Sequence, residues 1–200
     1  HVGRFMPQKN HEFLLRVAAE AIRKDPRLHF LLIGEGPLRE EMELLAATLG
    51  IGEKVCFTGN RLDVPSLMRH AMDCFFLPSR WEGLGIVALE AQALGLPCLL
   101  SDAVPPEANR LPLRNRTFSL SSSPAETATI LLELLNCSAL SRTALPDPHR
   151  FLYSISDNAR SLRLAYAQAL SEKALFRACR SSSINPANHR ANGGEAAPWK

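Results

Sequence analysis

Strand-like and helix-like segments alternate along most of the chain. Short apolar runs predict buried strands, and the segments between them repeat their apolar residues at helical spacing. The predicted strands are the end of a first strand at 2–5, followed by 28–33, 55–58, 74–77 and 98–101, and a short edge strand at 117–120. This alternation predicts a Rossmann-like, doubly wound α/β fold, in which helices cover both faces of a parallel sheet.

The helices between these strands have recognisable start and stop signals. Asn10 can cap a first helix that ends before Pro26, and Pro37 suits the first position of a second helix. Further helices are predicted at 64–71, from about Gly85, at 124–136 and at 156–176. Beyond Arg180 the chain has neither apolar period nor core content, so we expect one domain at 1–178 and a disordered tail at 179–200.

Composition and charge narrow the class of protein. The chain is 46% hydrophobic and 22% charged, with a net charge of +3 and no long basic run, so a nucleic-acid partner is not expected. Its five cysteines are widely spaced without a C-x-x-C pair, which favours a reducing compartment over disulfides or a zinc site. Without a transmembrane run or a secretory signal, we expect a cytoplasmic protein with at most peripheral association at the inner membrane face.

Two acids eight positions apart carry the strongest functional signal. Glu82 follows an apolar strand, Gly83 and Gly85 open a helix, and Glu90 falls on the second turn of that helix. A helix N-terminus next to glycines can bind a phosphate, and carboxylates accept hydrogen bonds from sugar hydroxyls. Either acid alone would more often be a solvated helix residue. Together with the glycines they predict a site for a phosphorylated, polyhydroxylated ligand such as a sugar nucleotide.

Other motifs stand in a fixed order around this pair. They are Val2-Gly3-Arg4-Phe5 with Lys9-Asn10-His11, Ile33-Gly34-Glu35-Gly36-Pro37, Phe57-Thr58-Gly59-Asn60-Arg61, Leu77-Pro78-Ser79 and Leu94-Gly95-Leu96-Pro97. With the E-x7-E spacing from Glu82 to Glu90, the chain resembles the retaining glycosyltransferases of family four, also called glycosyl transferases group one, over roughly residues 1 to 170. Within that family it looks most like bacterial exopolysaccharide or capsule enzymes.

The resemblance implies the C-terminal, donor-binding half of a GT-B fold. Such an enzyme transfers a hexose or N-acetylhexosamine from a nucleotide diphosphosugar, with a UDP-sugar favoured over a GDP-sugar, to a glycan or lipid-linked acceptor with retention. Because no D-x-D carboxylate pair is present, it also implies chemistry without a metal ion or other cofactor.

The resemblance assigns roles to single residues. Glu82 would bind donor-sugar hydroxyls, and Glu90 would bind the ribose. Arg4 and Lys9 form a basic pair that would contact the substrate together with the backbone at the glycine turns. The predicted catalytic residues are Glu82, Arg4 and Lys9, and Arg61 would lie near the base. The substrate-binding set is Gly3, Gly34, Gly36, Arg61, Gly83, Leu84, Gly85, Ile86, Val87 and Glu90. A turn role is about as well supported as ligand approach for Gly34 and Gly36, and His11, His29, His70 and His149 are expected to have no catalytic role.

Three alternatives to a complete transferase follow from the same residues. The chain begins inside the first predicted strand, so we expect it to lack the N-terminal GT-B domain that binds the acceptor. It could then be an inactive fragment or a non-catalytic sugar-nucleotide-binding module. A nucleotide-sugar epimerase shares the two-domain architecture, but the spacing of Glu82 and Glu90 and the glycines between them favour a transferase.

Overall fold

A computed structural model of the protein describes residues 1–138 of the chain. Short strands and longer helices alternate along it. The strands are β1 (Phe30–Leu32), β2 (Val55–Phe57), β3 (Phe75–Leu77), β4 (Cys98–Ser101) and β5 (Arg116–Phe118). The helices are α1 (His11–Lys24), α2 (Arg39–Thr48), α3 (Val64–Ala71), α4 (Ile86–Ala93) and α5 (Pro124–Ser138).

All described strand pairs are parallel. β1 pairs with β2, with Leu31 opposite Cys56, and β4 lies between β3 and β5 in a second sheet, with Leu99 opposite Phe76. Parallel neighbours need a crossover connection, which α2 supplies between β1 and β2 and α4 supplies between β3 and β4. The carboxyl ends of the paired strands therefore lie at the same edge of each sheet.

Alternate residues of the central strands face two different apolar clusters. Leu99 in β4 and Phe76 in β3 pack in a cluster with residues of α1, α2 and α5. Cys98 and Leu100, on either side of Leu99, pack in a second cluster with residues of α3 and α4. All four side chains are buried, and full burial of one such side chain stabilises the fold by about 1.5–3 kcal/mol. Helices thus cover both faces of the sheet, which confirms the doubly wound prediction.

The segment before α1 makes one β-bridge instead of the strand predicted at 2–5. Val2 pairs in parallel with Ile33, just after β1, and further along the two segments the Phe5 N–H donates to the Glu35 carbonyl at 2.9 Å. Regular strand geometry ends between them because Gly34 has a φ of 143°, far from the dihedrals of a β-strand. The N-terminal segment therefore lies beside the end of β1 without forming a strand.

Other differences from the predicted elements are confined to their ends. The strand predicted at 28–33 is β1, the strand predicted at 74–77 begins at Phe75, and the edge strand predicted at 117–120 is β5. The helix predicted from Pro37 begins at Arg39. The predicted helix at 156–176, the domain end at 178 and the tail at 179–200 lie outside the described residues.

Asn10 occupies the N-cap position of α1 without capping it through its side chain. Its backbone is left-handed, with a φ of 55°, and the side chain makes no hydrogen bond to the first turn. Asn tolerates this conformation better than most residues. The prediction of the helix start was correct, but the reason for an asparagine there is the sharp change of chain direction from the preceding 3₁₀ turn, Pro7–Lys9.

Candidate functional site

An open cleft of about 680 Å³ lies where the N-terminal segment and β1 end. Its lining comes from residues 2–4, 33–37 and 60, 61 and 64. It brings together five of the predicted site residues, which are Gly3, Arg4, Gly34, Gly36 and Arg61. A cleft beyond the carboxyl ends of parallel strands is where open α/β folds bind their ligands.

Gly34 and Gly36 allow the N-terminal segment to approach closely. A Cβ at Gly34 would lie 2.1 Å from the carbonyl oxygen of Gly3, and a Cβ at Gly36 would lie 2.5 Å from the carbonyl oxygen of Phe5. Both glycines also have positive φ, at 143° and 158°. The backbone contact therefore accounts for glycine at both positions, and these residues form the wall of the cleft.

Glu82 is held by two donors on one of its oxygens. Lys9 Nζ lies 2.5 Å and Ser79 Oγ 2.6 Å from Oε1 of Glu82. The Glu82 side chain is 8% exposed and that of Lys9 is 16% exposed, so this ion pair is largely removed from water. Oε2 of Glu82 has no hydrogen-bond partner among the described residues. The structure thus brings two of the three predicted catalytic residues into direct contact.

Gly3 connects the cleft to this ion pair. A Cβ at Gly3 would lie 3.2 Å from both Cγ and Cδ of Lys9 and 2.9 Å from Nε2 of His1. The aliphatic stem of Lys9 therefore passes against the Gly3 backbone before its ammonium reaches Glu82. A side chain at position 3 would therefore require His1 to shift and would press against the stem of Lys9.

The start of α4 presents backbone N–H donors beside the open space at Gly83. Gly85, the N-cap, has a left-handed φ of 69°, and no side chain caps the helix. The first N–H groups of an α-helix have no partner within the helix, so the amides of Ile86 and Val87 remain available. Leu84 is half-buried, whereas Gly83 is exposed and has open space where a Cβ would be. The geometry suits an approaching anion.

Glu90 differs from Glu82 in its surroundings. It lies on the second turn of α4, is exposed, and its carboxylate has no hydrogen bond or ion pair to a described residue. Neither Glu90 nor Glu82 nor the 83–87 stretch is among the described residues that line the cleft. The predicted site is therefore divided between the cleft and the region around α4.

The two arginines of the cleft are in different states. Arg4 is exposed and its guanidinium has no partner among residues 1–138. Arg61 donates from Nε and Nη2 to the two carboxylate oxygens of Asp63, both at 2.8 Å, and these bonds hold the pKa of Asp63 below its ordinary value. A ligand at Arg61 would have to share or replace this contact, whereas Arg4 is available.

His11, for which the sequence predicted no catalytic role, is buried. Its ring stacks on Phe5 at a centroid distance of 4.0 Å and meets His1 edge-on at 4.7 Å. Neither ring nitrogen has a hydrogen-bond partner among the described residues. Burial lowers the pKa of His11 to about 4, and the positive charges of the N-terminal ammonium and Lys9 add to the effect. The first turn of α1 therefore packs on the N-terminal segment through His11.

His29 and His70 add no candidate, and His149 lies outside the described residues. His29, predicted within an apolar strand, is exposed and precedes β1, and His70 is exposed on α3. Over residues 1–138, no group of three or more His, Cys, Asp or Glu side chains is arranged to hold a metal ion. None of the helices in the same range has the length and apolar character needed to cross a membrane.

Ser79 is a site residue to which the sequence assigned no role, although it belongs to the Leu77-Pro78-Ser79 motif. It is fully buried and supplies one of the two hydrogen bonds on Glu82. Its place three residues before Glu82, directly after a strand, was visible in the sequence. Nothing in the pattern distinguished its hydroxyl from those of the other serines.

Comparison with known proteins gives a family and a fold. The family model described as "Glycosyl transferases group 1" matches residues 1–141. EpsF of Bacillus subtilis, which is named as a glycosyltransferase, is 43% identical over 104 residues, covering 52% of this chain and 27% of EpsF. The UDP-Gal:alpha-D-GlcNAc-diphosphoundecaprenol alpha-1,3-galactosyltransferase of Escherichia coli is 36% identical over 104 residues, covering 50% and 27%. The matched part of the chain thus covers about a quarter of the length of these relatives.

A solved structure shows the same fold. The C-terminal domain of the glycosyl transferase group 1 family protein LpcC from Francisella tularensis superposes with a TM-score of 0.62 at 22% sequence identity. The superposition covers 76% of this chain and 82% of that domain. The Rossmann-like half predicted from the sequence is therefore the fold of a C-terminal domain of this kind.

Proposed function

Because the chain belongs to the glycosyl transferases group 1 family, we propose that it is the donor-binding half of a glycosyltransferase. The donor is a nucleotide diphosphosugar, with a UDP-sugar favoured over a GDP-sugar, and the sugar is a hexose or N-acetylhexosamine. The acceptor is a glycan or a lipid-linked glycan in the synthesis of cell-surface polysaccharide. The name of the E. coli relative, which pairs a UDP-sugar with a lipid-linked acceptor, supports this choice.

The observation that carries the proposal is the environment of Glu82. A largely buried carboxylate with one oxygen doubly hydrogen-bonded and the other without a partner can accept a hydrogen bond from a sugar hydroxyl in a fixed direction. A surface acid without a ligand role would instead be exposed and weakly paired, because burying a charge costs free energy.

The diphosphate would be held by positive charge from three sources. The N–H groups at the start of α4 carry the positive end of the helix dipole, and Arg4 is a cation without a described partner. The Lys9 ammonium has three donors, so it can keep its bond to Glu82 and still reach a phosphate oxygen. In this proposal these groups supply the positive charge, and no metal ion is assigned to the role.

Transfer breaks the bond between the anomeric carbon and the diphosphate oxygen and forms a bond from that carbon to an acceptor oxygen. The nucleoside diphosphate leaves with the bonding electron pair, and the acceptor hydroxyl passes its proton to a phosphate oxygen of the departing diphosphate. The groups around the diphosphate stabilise the negative charge that develops on it. Retention at the anomeric carbon is part of the proposal.

A second candidate is a module that binds the donor without turning it over. The observation in its favour is that the match covers only about a quarter of the length of the relatives. We propose that an N-terminal GT-B domain binds the acceptor in the complete enzyme. In that case this chain alone binds donor and releases no product, whereas the same site in the complete enzyme supports transfer.

Calorimetric titration with UDP, GDP and a UDP-sugar tests the proposal. We expect UDP to bind, Glu90→Ala to weaken all UDP ligands about tenfold, and Glu82→Gln to weaken only the UDP-sugar. The glutamine keeps the shape of Glu82 and an oxygen for Lys9. Equal losses from the two variants would contradict the division of roles, and tighter binding of GDP would contradict the choice of base.

A further inference from the structure

Ser79 makes two hydrogen bonds, one through its side-chain hydroxyl and one through its backbone carbonyl. Its hydroxyl donates to Oε1 of Glu82 at 2.6 Å, and its carbonyl accepts from the hydroxyl of Ser101, also at 2.6 Å. Ser79 is completely buried and Ser101, the last residue of β4, is 1% exposed. Two buried hydroxyls therefore link the end of β4 to the carboxylate of Glu82.

The backbone on either side of this link is tied to a second element. The Arg80 N–H donates to the Gln8 carbonyl at 2.8 Å, and the Gln8 side-chain amide donates to the Trp81 carbonyl at 2.9 Å. The residues between Ser79 and Glu82 are thus fixed to β4 on one side and to the 3₁₀ turn before α1 on the other. Sites whose supporting groups are locked in this way hold their geometry before a ligand arrives.

The two donors on Glu82 differ in how well they fix its orientation. Lys9 reaches Oε1 through a long stem with several rotatable bonds, and its ammonium can rotate among three donors. Ser79 is a short, buried side chain on the same loop as Glu82. The serine bond therefore restricts the rotation of the carboxylate more tightly than the lysine bond does, with Oε1 facing the protein and Oε2 left for another partner.

We propose that Ser79 is a positioning residue, which orients the Glu82 carboxylate so that Oε2 accepts a hydrogen bond from a hydroxyl of the donor sugar. Ser101 supports it by fixing its backbone. This inference rests on the proposed function, in which Glu82 binds the donor sugar. The inference adds Ser79 as a residue that favours the sugar nucleotide over the bare nucleotide without contacting either ligand.

Titrations of the full chain with UDP and with UDP-glucose and UDP-N-acetylglucosamine test the positioning role in wild type and Ser79→Ala. We expect UDP affinity to change less than about twofold, because the diphosphate and ribose contacts remain. The preference for the better UDP-sugar over UDP is expected to fall about tenfold, the value of one hydrogen bond to a charged group. An unchanged preference would overturn the inference.

Thr127→Val is the matched control. Thr127 is fully buried on α5 and its hydroxyl donates to the Ser123 carbonyl, so this variant also loses a buried hydroxyl and its hydrogen bond. A merely structural role of Ser79 predicts the same behaviour for both variants. We expect the control to keep the preference for the UDP-sugar, and an equal loss in the control would contradict a specific role of Ser79.

A crystal structure of Ser79→Ala separates this inference from the proposed function. Wild type that binds no UDP would contradict the proposed function, and the crystal structure would still decide the positioning role. We expect the Glu82 carboxylate to rotate by more than about 30° once the serine bond is lost, because the terminal torsion of a glutamate has a broad range unless hydrogen bonds restrict it. A carboxylate that stays in place on Lys9 alone would overturn the inference.

Discussion

The two parts of the candidate site differ in whether their polar groups already make hydrogen bonds within the protein. The buried half consists of Lys9, Ser79 and Glu82, whose polar groups bond to one another away from water. The open half consists of Gly83 and Glu90, which are exposed and have no hydrogen bond from a described side chain. The buried half is therefore oriented before a ligand binds, whereas the open half keeps its space and its bonding capacity for the ligand.

This difference predicts opposite effects of mutation in the two halves. Changes in and around the buried half should reduce the free energy of unfolding. Changes in the open half should leave stability unchanged and weaken ligand binding.

The largest effect is expected from Gly34→Ala, which breaks the contact that supports the buried half. The new Cβ would lie 2.1 Å from the Gly3 carbonyl oxygen, at a φ of 143° that disfavours alanine. We expect the free energy of unfolding, measured with urea, to fall by more than about 4 kcal/mol. Gly52→Ala, whose Cβ would find its nearest neighbour at 3.7 Å, should change it by less than about 0.5 kcal/mol. A mild loss in Gly34→Ala would show that the N-terminal segment can move away.

Glu82→Ala should be the next most destabilising change. It leaves the Lys9 ammonium, on a side chain 16% exposed, without its carboxylate, and removing one partner of a buried ion pair costs about 3 kcal/mol. Glu90→Ala is the counterpart in the open half and should cost less than about 0.5 kcal/mol. Urea unfolding of both variants measures the difference. Equal decreases in the free energy of unfolding would mean that the two acids contribute equally to stability.

The buried surroundings of the site should also make stability depend on pH through His11. Its pKa is lowered from 6.5 to about 4 in the folded protein, first by burial and then by nearby positive charges. The unfolded chain therefore binds a proton that the folded chain does not, and stability decreases as the pH falls from 6.5 to 4. The loss from this group should be about 3 kcal/mol, and no further loss is expected below pH 4.

His11→Phe tests this contribution, because it keeps an aromatic ring against Phe5 and removes the titrating group. The slope of stability against pH between 6.5 and 4 should become shallower in this variant. The same replacement of the exposed His70 should leave the slope as in wild type. An unchanged slope in His11→Phe would mean that other groups cause the acid sensitivity.

The smallest effect on folding and a clear effect on binding are expected from Glu90→Ala. The exposed carboxylate makes no described contact, so its removal should affect only a ligand that uses it. We expect UDP to bind about tenfold more weakly by calorimetry, the value of a hydrogen bond to a charged group. Glu133→Ala, which removes an acid from α5, should not change UDP affinity. Loss of affinity in both variants would indicate a general effect of charge.

The sequence predicted the order and type of the elements well because local patterns determine them. The strand at 98–101 and the helix at 64–71 were predicted to the residue, since apolar runs and helical spacing are local signals. The strand predicted at 2–5 was wrong. Its pairing with the end of β1 is limited by the close contact between Gly34 and Gly3, two residues that are distant in the sequence. Backbone contacts between remote residues leave no periodic signal in the sequence.

The site was predictable only in part, for the same reason. The spacing of Glu82 and Glu90 and the glycines between them are visible in the sequence. That Glu82 is buried and Glu90 exposed is not, because burial depends on Lys9, more than seventy positions away in the chain. His11 and Ser79 were missed because only the packed N-terminal segment and the end of β4 show what surrounds them.

Titration of Gly83→Ala with UDP tests the central claim, that the open half is kept free for the diphosphate. The new methyl group meets no described atom within 4 Å, so stability should stay as in wild type. UDP affinity should fall about tenfold, because the methyl occupies space that the phosphate needs, while Gly52→Ala binds as wild type. UDP affinity equal to wild type in Gly83→Ala, or no UDP binding by the wild-type chain, would contradict the claim.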